Sequence, residues 1–487
     1  MAVLSHLRPT QVWTHFEALC AIPRPSKKEA QAAEYVLRLA RSWGLSAQKD
    51  GVGNVIVRKP ATKGHEQART VVLQCHLDMV PQKTMDCPHD FERDPIRPRI
   101  VDDTVRATGT TLGADDGIGV SVALSVLQAS DLVHGPLEVL FTIDEETGMT
   151  GANGLQPGLL KGDILLNLDS EDEGELCIGC AGGADVHVDA RVKELPVPAT
   201  ALAFQIDVVG LRGGHSGVDI HLGRANANKL LARVLFEAAC ETDLRIHSFV
   251  GGNLRNAIAR SAAAVVVVKK TQAETLAQAV ARSAAVVQGE FAAADPGLRV
   301  SLAPHKRPHR AMDKRTSLRW LRALYASPHG VMAMVPDMPH VTETSTNLAI
   351  VQIARGKVHV GHMLRSSVDS KKRDVENTLR AVFELAGATV TVKGGYPGWQ
   401  PNTSSPVLSL LKSIYQTKFA TAARVTATHG GLECGIIRSV YPHMDAISIG
   451  PTVRFPHSPD EQVDIPSVQK FWDFLVDVLA KLTTLPT

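Results

Sequence analysis

The sequence predicts an α/β fold: a discontinuous domain with a mixed sheet flanked by helices, plus an inserted α+β domain that would serve as a lid. Three observations lead to this prediction. Short apolar runs of strand character alternate with helical patterns, as in sheets covered by helices. Acidic and histidine residues follow directly after these runs. The length of 487 residues exceeds what one hydrophobic core usually supports, and the middle of the chain differs in pattern from its ends.

The first predicted element is a helix over about residues 27–43. Residues 26–29, Ser-Lys-Lys-Glu, have the pattern of a capping box, in which serine and glutamate satisfy amides at a helix start. Ala33 and Val36 follow at helical spacing, and Gly44 ends the pattern.

Four apolar runs after this helix are predicted as strands, and each leads into polar residues. They are 71–75 before His76 and Asp78, 137–143 before Asp144-Glu145-Glu146, 164–168 before Asp169, and 446–449 before a loop with His457. Helical patterns lie at about 116–130, 406–418 and 466–483. Sheets of this kind place their chemistry at the carboxyl ends of the strands. The sequence therefore predicts one site built from several strand ends.

Residues 186–394 have the pattern of a separate inserted domain. Residues 193–200 resemble a linker into it, and 394–398 resemble the return. Strands are predicted at 203–209, 263–268, 347–353 and 357–364, and helices at 224–240, 272–289 and 372–386. We therefore expect a catalytic domain in two parts, 1–185 and 395–487, and a lid over 186–394 that could contain two subdomains.

Composition and charge argue against several classes of protein. A net charge of +2 without a basic stripe gives no reason to expect nucleic acid as a partner. The start of the chain lacks the pattern of a signal peptide, and the longest apolar stretches are too short to span a membrane. Seven cysteines are few and odd in number, so no disulfide framework is expected, and Cys177 and Cys180 are interpreted as small buried side chains. We expect a cytoplasmic protein without membrane contact.

The acidic and histidine residues at the strand ends are the strongest chemical signal in the chain. Carboxylates and imidazoles together suit divalent zinc, manganese or cobalt, and two such ions close together need a bridging carboxylate. We expect two ions, zinc in the first place, with cobalt or manganese as alternatives. The predicted ligands are His76 and Asp169 for one ion, Glu146 and His457 for the other, and Asp115 as the bridge.

Two neighbouring residues are assigned supporting roles. Asp78, two positions after His76 on an extended strand, faces the same way and can fix the imidazole tautomer. Glu145 would point away from Glu146 on an extended backbone, which leaves it free to act as the general base. In that role it takes a proton from the attacking water and passes it to the leaving amine.

Each of these signals has an ordinary explanation when it is taken alone. A His-x-Asp pair is more often a satisfied polar pair, and a Glu-Glu pair is usually a solvated surface. Asp115-Asp116 before Gly117 could simply cap the following helix. The joint occurrence favours metal binding, because carboxylates buried at several strand ends are costly unless a cation compensates them.

Long motifs of the chain resemble the co-catalytic di-zinc metallopeptidase superfamily of carboxypeptidase G, aminoacylase, tripeptidase T and carnosinase. Within it, the chain is most similar to the aminoacyl-histidine (Xaa-His, or cytosol non-specific) dipeptidases, and the resemblance spans nearly the whole chain. The motifs are HLDMV (76–80), TTLGADDGIG (110–119), DEETGMTGA (144–152), NLDSEDEGE (167–175), CIGCAGG (177–183), GGHSG (213–217), GGNLRNAIAR (251–260), ETSTNLAI (343–350), RSSVDS (365–370), HGGLECG (429–435) and PHSPDE (456–461).

The resemblance implies the ligand set given above, with Glu145 as catalytic base and Asp78 as the residue that orients the imidazole. It also implies that His215, in the insert, stabilises the oxyanion of the tetrahedral intermediate, which a donor in a dry site can do. A turn histidine beside glycines is the alternative for His215. Similar dipeptidases often have Asn at position 116, and we expect little consequence from Asp116 because Asp115 would be the bridge.

Residues of the insert are candidates for binding the substrate's carboxylate and the oxyanion. Arg365 suits a bidentate carboxylate clamp, and Asn347 is the second candidate. Arg255 and Arg260 could do the work of Arg365. The assignment among the three arginines is left open by the sequence.

His429 and Glu433, in a glycine-rich loop, are candidates for the free amino end of a substrate, since an ammonium needs a carboxylate. The implied activity is hydrolysis of the peptide bond of small unblocked dipeptides, Xaa-His included. One alternative is another amide hydrolase on the same scaffold, such as an aminoacylase, tripeptidase or carboxypeptidase. A second is a non-catalytic binding protein, against which the presence of Glu145 and all ligands argues. A subdomain of the lid could supply His215 within its own chain. A homodimer is left open, and so is whether His215 acts in its own chain or in a partner's.

Overall fold

A computed structural model of the chain describes residues 3–486. The chain divides into two compact units. Unit 1 comprises the chain up to Gly179, Trp399–Ala427 and the chain from Leu432 onward. Unit 2 comprises Cys180–Gly398 and Thr428–Gly431. Both units are therefore discontinuous in sequence.

The helices and strands of the described residues are numbered in chain order. The α-helices are α1 (Thr10–Cys20), α2 (Ala30–Ser42), α3 (Ala114–Gln128), α4 (Glu145–Gly148), α5 (Thr150–Asn153), α6 (Ala227–Glu241), α7 (Ala273–Glu290), α8 (Lys314–Ala326), α9 (Asp369–Leu385), α10 (Pro406–Phe419), α11 (Glu433–Val440) and α12 (Ile465–Leu482). The strands are β1 (Ser46–Lys49), β2 (Val55–Lys59), β3 (Val71–His76), β4 (Pro98–Val101), β5 (Thr104–Ala107), β6 (Leu137–Thr142), β7 (Ile164–Asn167), β8 (Glu175–Cys180), β9 (Gly182–Arg191), β10 (Glu194–Pro196), β11 (Ala201–Val209), β12 (Gly214–His215), β13 (Arg245–Gly251), β14 (Ala257–Ile258), β15 (Ala262–Lys269), β16 (Arg299–His305), β17 (Arg310–Met312), β18 (Gly330–Val335), β19 (Met338–Ala354), β20 (Lys357–Ser366), β21 (Thr389–Tyr396), β22 (Arg424–Thr428), β23 (Asp445–Ser448), β24 (Val453–Arg454) and β25 (Gln462–Asp464).

Unit 1 is built on an eight-stranded mixed sheet with the order β1-β2-β6-β3-β7-β23-β8-β22. The four central strands, β6, β3, β7 and β23, are parallel neighbours, and β2 and β8 pair with them antiparallel on the two sides. Since parallel strands run in one direction, the loops that follow them leave the sheet at a single edge. This edge carries the polar motifs of the sequence.

The centre of unit 1 is buried, as parallel strands with covered faces require. Every residue of β3 (VVLQCH) and of β6 (LEVLFT) is buried. Helix α3 contacts β3 and is itself buried along almost its whole length, which explains why its sequence is apolar and small rather than amphipathic. The start of this helix is therefore held by the core, and it presents Asp115 and Asp116.

Unit 2 is built on a nine-stranded sheet in which every pairing is antiparallel. Its order is β16-β11-β15-β13-β19-β20-β9-β21, with β18 beside β19. Helices α6 to α9 share one core with this sheet, and Leu231, Phe249, Trp320, Val360 and Phe383 are fully buried in it. An antiparallel sheet with helices of this kind has the α+β character that the sequence predicts for the insert.

The α/β class with a mixed sheet is confirmed, and the four apolar runs correspond to β3, β6, β7 and β23. Two local predictions are wrong. Helix α2 begins at Ala30, and Ser26 does not cap it because its hydroxyl donates to Asp78 Oδ2 at 2.8 Å. Residues 193–200, predicted as a linker, contain β10, which pairs with β17. No helix within residues 3–486 has the length and apolar character that a membrane crossing requires.

Candidate active site

Side chains from five separate parts of unit 1 meet at the edge where the parallel strands end. They are His76 at the end of β3, Asp115 in the first turn of α3, Glu146 in α4 directly after β6, Asp169 after β7, and His457 in the loop after β24. The local fold explains the placement, because each strand is buried by its apolar residues and releases the chain at the same edge.

Asp115 lies between two imidazoles. His76 Nε2 is 3.0 Å from Asp115 Oδ1, and His457 Nε2 is 3.3 Å from Asp115 Oδ2. Asp169 Oδ1 lies 3.5 Å from His76 Nε2, and Glu146 Oε2 lies 3.0 Å from His457 Nε2. The donors therefore form two groups that share Asp115, one with His76 and Asp169 and the other with Glu146 and His457.

This donor set fits two divalent cations. Three overlapping sets of residues at this edge could each hold a cation, because the ligand atoms within each set lie within 4.8 Å of one another. The sets are His76, Asp116 and Asp169; His76, Glu145 and Glu146; and Asp115, Glu146 and His457. Carboxylates outnumber imidazoles, and Glu146 Oε1 is buried without a hydrogen-bond partner in the part of the chain that the structure describes. So many buried carboxylates need compensating positive charge. Carboxylate and imidazole donors suit zinc, manganese or cobalt.

The ligand residues perturb one another's protonation strongly. Hydrogen bonds to Asp115 and Glu146 raise the pKa of His457 to about 11. Burial alone would lower the pKa of His76, but the carboxylates of Asp169 and Asp115 raise it well above its ordinary value. Burial would raise the pKa of Asp115, yet its bonds to His457 and His76 hold it far below its usual range. Asp115 is therefore the ionised centre of the group, as a bridging ligand must be.

For two other carboxyl groups, burial decides the direction of the net pKa shift. It raises the pKa of Asp169 to about 7, and the charge of Asp115 adds to the effect. It also raises the pKa of Glu145 well above its usual range, with the charges of Asp169 and Glu433 adding to it. A carboxyl group that exchanges its proton nearer neutral pH is suited to act as a general base.

Asp78 joins one imidazole to the predicted base. Its Oδ1 lies 3.3 Å from His76 Nδ1, within ion-pair distance although the two atoms are not aligned for a hydrogen bond. Its carboxylate accepts the backbone amides of Glu145 at 3.0 Å and Glu146 at 3.2 Å, and the Ser26 hydroxyl at 2.8 Å. Burial would raise the pKa of Asp78, but these partners lower it to about 2. Asp78 therefore stays ionised and holds the imidazole and the base in one arrangement.

Glu145 and Glu146 do not lie on opposite sides of an extended strand, so this prediction is wrong. Both residues begin α4, and oxygens of both lie within the same set of ligand atoms as His76. Their division into base and ligand rests instead on their partners. Glu146 contacts His457, whereas Glu145 has no ion pair with either imidazole among the described residues.

The two explanations considered for the Asp115-Asp116 pair apply to one residue each. Asp116 accepts the backbone amides of His76 at 3.2 Å and Gly119 at 3.1 Å, so it caps the start of α3. Asp115 turns its carboxylate to the two imidazoles instead. Asp116 therefore ties the helix start to the strand that ends in His76. The expectation that Asp rather than Asn at this position has little consequence stays a prediction.

Glu433, a predicted substrate residue, is buried in unit 1 beside this group. Its Oε2 accepts from Gln74 Nε2 and from the Thr142 hydroxyl, each at 2.6 Å, and its Oε1 has no partner among the described residues. Burial raises the pKa of Glu433 to about 8, while the charge of His76 acts in the opposite direction. One carboxylate oxygen is therefore left for a further ligand.

The hydrogen bonds of His215, in unit 2, fix which of its ring nitrogens carries the hydrogen. The backbone amides of Gly217 and Val218 both donate to His215 Nδ1, at 3.2 Å. An accepting Nδ1 leaves the hydrogen of the neutral ring on Nε2. Burial and the charge of Arg365 lower the pKa of His215, which keeps the ring neutral. Nε2 is therefore a hydrogen-bond donor.

Arg365 and His215 both lie close to Gly217. A Cβ atom at Gly217 would be 3.0 Å from Arg365 Nε, 3.1 Å from His215 Cε1 and 2.7 Å from the His429 carbonyl oxygen, so only glycine fits. Arg365 is buried and donates to that carbonyl at 3.4 Å and to the Tyr396 hydroxyl at 3.3 Å. Its Nε has no hydrogen-bond partner among residues 3–486. Two hydrogen bonds thus hold the guanidinium in place, and its Nε–H group remains available as a donor.

His429 belongs to unit 2, although Glu433 follows it by only four residues in unit 1. Its Nε2 shares a hydrogen bond of 2.7 Å with the Ser345 hydroxyl. Burial, together with the charge of Arg365, lowers the pKa of His429 to about 3, so the ring is neutral. The His429 ring therefore adds no positive charge beside Arg365.

Asn347 is fully buried, and its amide has partners on both sides. Its Nδ2 donates to the Ala257 carbonyl at 2.8 Å, and its Oδ1 accepts from Asn226 Nδ2 at 3.2 Å. Ala257 pairs with His215 across β12 and β14. Asn347 therefore holds the backbone beside His215, and its contact with substrate stays a prediction.

The other two arginines named from the sequence are engaged elsewhere. Arg255 forms an ion pair of 2.9 Å with Asp185, and Arg260 Nε donates to the Leu211 carbonyl at 3.2 Å. Arg365 differs from both because its guanidinium is buried and keeps an unpartnered nitrogen.

Several contact residues were not predicted from the sequence, Ser26 and Tyr396 among them. Ser26 was interpreted as a helix cap and instead contacts Asp78. Tyr396 lies in residues 394–398, interpreted only as a return segment, and its hydroxyl contacts Arg365. The available signal in the sequence was a tyrosine in a glycine-rich stretch. In the structure its ring lies against the backbone at Gly183, where a Cβ atom would be 2.6 Å from the ring.

Comparison with known proteins agrees with this site. The chain matches the peptidase family M20/M25/M40 over residues 72–481. It is 45% identical over 482 residues to the cytosol non-specific dipeptidase of Escherichia coli (strain K12), which covers 99% of both proteins. The crystal structure of aminoacylhistidine dipeptidase from Vibrio alginolyticus has a TM-score of 0.94 and 44% identity, and covers 99% of this chain and 98% of that one. A tripeptidase from Staphylococcus aureus subsp. aureus mu50 shares the fold, with a TM-score of 0.57 and 15% identity over 98% of this chain and 100% of its own.

The resemblance inferred from the motifs is thereby confirmed. The matched region includes every strand end that contributes to the site, and the fold is shared along nearly the whole chain. The family is one of metal-dependent peptidases, which agrees with a donor set that fits divalent cations. The chain is a member of peptidase family M20/M25/M40.

Proposed function

We propose that this peptidase hydrolyses the peptide bond of unblocked dipeptides, Xaa-His dipeptides among them, with two divalent ions. The observation that carries the proposal is the position of Asp115 between two imidazoles, with Glu145 in the same cluster. The printed names of the relatives with 45% and 44% identity, both dipeptidases, support the substrate class.

The proposed ligands are His76, Asp115 and Asp169 for one ion and Asp115, Glu146 and His457 for the other. Zinc is the first choice, with cobalt and manganese as alternatives, because the donors are imidazoles and carboxylates. When bound, such ions lower the pKa of a water molecule and polarise the carbonyl group of a peptide.

Glu145 is the proposed general base. Its raised pKa lets it take a proton from the attacking water and deliver that proton to the leaving amine. Asp78 keeps Glu145 in place through its backbone amide and keeps the His76 ring in one orientation.

His215 and Arg365 are proposed to act on the substrate itself. His215 donates its Nε2 hydrogen to the oxyanion that forms on the attacked carbonyl. Arg365 binds the terminal carboxylate through its unpartnered nitrogen, and Tyr396 holds the guanidinium in position. Asn347 remains a candidate for the oxyanion.

Glu433 and His429 are proposed for the free amino end of the dipeptide. Glu433 offers an unpartnered oxygen in a buried setting, where an ammonium group would find the opposite charge it needs. We place this activity in the cytoplasm, because the relative from Escherichia coli is named for the cytosol.

The test is hydrolysis of a substrate panel after chelation and readdition of zinc, manganese or cobalt. We expect the chelated protein to be inactive, activity to return with two ions bound, and free dipeptides such as Ala-His to be cleaved fastest. Faster cleavage of N-acetyl amino acids or of tripeptides would replace the dipeptidase proposal with an aminoacylase or a tripeptidase. Ion binding without hydrolysis of any amide would indicate a binding protein.

A further inference from the structure

Glu461 is a buried carboxylate that the proposed chemistry does not use. It is 2% exposed and lies four residues after His457 in the same loop. Its oxygens accept four consecutive backbone amides: Oε2 those of Leu112 at 2.7 Å and Gly113 at 2.9 Å, and Oε1 those of Ala114 at 2.7 Å and Asp115 at 3.3 Å.

These amides need an acceptor from outside their own segment. They stand at the start of α3, where backbone amides have no partner within the helix. The residue at the N-cap is Gly113, which has no side chain, and the Asp116 carboxylate is already bonded to the amides of His76 and Gly119. A carboxylate at a helix start also interacts favourably with the helix dipole. Glu461, which lies 346 residues after Asp115 in the chain, therefore supplies the acceptors that these amides lack.

Arg24 holds the same segment from the other side. Arg24 is 2% exposed, donates to the carbonyls of Leu77 at 3.0 Å and Asp78 at 2.8 Å, and also donates to the Gly113 carbonyl. The Gly113 carbonyl and the Ala114 amide belong to one peptide unit and point in opposite directions. Glu461 and Arg24 therefore form hydrogen bonds to opposite edges of this peptide unit, and the charged groups of both residues are buried.

We infer that Glu461 is a positioning residue for the metal centre. By binding the amides up to Asp115, it fixes the bridging carboxylate relative to His457, which is carried by the loop of Glu461 itself. The inference rests on the proposed metal centre. It explains how two ligands that are far apart in sequence are placed for one ion before that ion binds.

The variant Glu461→Gln tests the inference, because glutamine keeps the size but leaves one oxygen where four amides need two. Its NH2 group would face two backbone amides. The matched control is Glu138→Gln in the same unit. Glu138 is 3% exposed, accepts the amides of Lys161 and Gly162, and lies at the start of β6 rather than at its carboxyl end.

We expect E461Q to bind zinc about 10- to 100-fold more weakly than wild type in competition with a chelator. Its kcat should fall by a similar factor, with little change in KM, because the substrate residues are untouched. E138Q should keep the zinc affinity of wild type even if its melting temperature falls as far as that of E461Q. Equal zinc affinities in E461Q and E138Q would overturn the inference, whereas wild-type protein that binds no ions would overturn the proposed function.

Hydrogen exchange on wild-type protein keeps the test decisive if E461Q does not fold. With the ions removed, the amides of residues 112–115 should remain protected, since Glu461 and not the ions binds them. Amides that exchange freely in the chelated protein and gain protection only with zinc would show that the ions order this segment, and the inference would be wrong.

Discussion

Adjacent residues of the same type have different contacts at this site. Asp115 and Asp116 are adjacent and chemically alike, but one faces two imidazoles and the other caps a helix. Glu145 and Glu146 are likewise adjacent, and Glu146 contacts His457. The sequence predicts the residue types at the site, because buried carboxylates and imidazoles suit a divalent ion. The division of roles within each pair depends on backbone direction, which composition and spacing do not contain.

Replacement of Glu145 by glutamine tests the proposed base. Gln cannot take up the proton, so we expect kcat to fall by about 10²- to 10⁴-fold. The zinc content should stay at two ions, since the five proposed ligands are intact. Glu34→Gln on the exposed side of α2 is the control and should keep full activity. An E145Q protein with two ions and wild-type kcat would assign the base to another group.

Replacement of Arg365 by lysine tests the proposed carboxylate clamp. A lysine keeps the charge but not the planar pair of donors, so we expect KM for a dipeptide to rise about tenfold with a smaller change in kcat. The control is Arg255→Lys, whose guanidinium is exposed and pairs with Asp185. A wild-type enzyme should prefer dipeptides over their C-terminal amides, and R365K should lose this preference. Equal preference in both proteins would argue against the clamp.

At the scale of the elements, the parallel strands of unit 1 could be predicted from the sequence. The antiparallel strands of unit 2 could be predicted only in part. Buried parallel strands such as β3 and β6 are continuous apolar runs. By contrast, β13 mixes buried and partly exposed residues, β16 has no buried residue, and neither strand has a strong apolar pattern. The bonding of residues 112–115, just before the regular turns of α3, could not be predicted either, because Glu461, which accepts their amides, belongs to a distant loop.

The start of α3 is sensitive to a single added methyl group. A Cβ atom at Gly119 would lie 2.2 Å from Asp116 Oδ1, so Gly119→Ala must displace the carboxylate that caps the helix. Alanine normally stabilises a helix, but here we expect the free energy of unfolding to fall by about 1–3 kcal/mol. Urea denaturation of the zinc-loaded protein measures it.

Gly289→Ala in α7 is the matched control for this substitution. A Cβ atom there has nothing within 4 Å. We expect it to leave stability unchanged or to raise it slightly, as alanine does at an unobstructed helix position. A G119A protein as stable as G289A would mean that Asp116 does not cap the helix in solution.

For the whole molecule, the acidic cluster predicts how stability depends on pH when the ions are chelated. The pKa of Asp169 rises from 3.8 to about 7 on folding, so its folded form keeps a proton that the unfolded chain has lost. The pKa of His457 rises from 6.5 to about 11, and its contribution to stability declines above the lower value. Both groups therefore make the folded state less stable as the pH rises through neutrality. Asp115, with a lowered pKa, acts in the opposite direction only in more acidic solution.

We expect the free energy of unfolding of the chelated protein to fall by at least about 1 kcal/mol between about pH 5.5 and about pH 8. Zinc binds the deprotonated donors and should reduce or reverse this fall. Urea denaturation at both pH values, with EDTA and with zinc, measures the difference, and Asp169→Asn should make the chelated curve flatter. A fall of equal size with zinc bound would locate the titrating groups outside the cluster.

A mixing experiment tests whether each chain supplies its own oxyanion donor. The variants His215→Ala and Glu145→Ala lack the proposed donor and the proposed base, respectively. If His215 serves its own chain, as we expect, the mixture is as inactive as either variant alone. Recovery of activity in the mixture would mean that the two residues cooperate across a homodimer.

The short segment Thr428–Gly431 makes the two units inseparable by simple truncation. Chain that belongs to unit 1 both precedes and follows these four residues, yet His429 bonds to Ser345, and the carbonyls of Thr428 and Gly430 accept the Ala181 amide at 3.1 and 3.0 Å. An excised fragment Cys180–Gly398 would leave Ser345 and Arg365 without this partner. A protein engineer who wishes to transplant the insert onto another scaffold must therefore carry over a second piece of the gene.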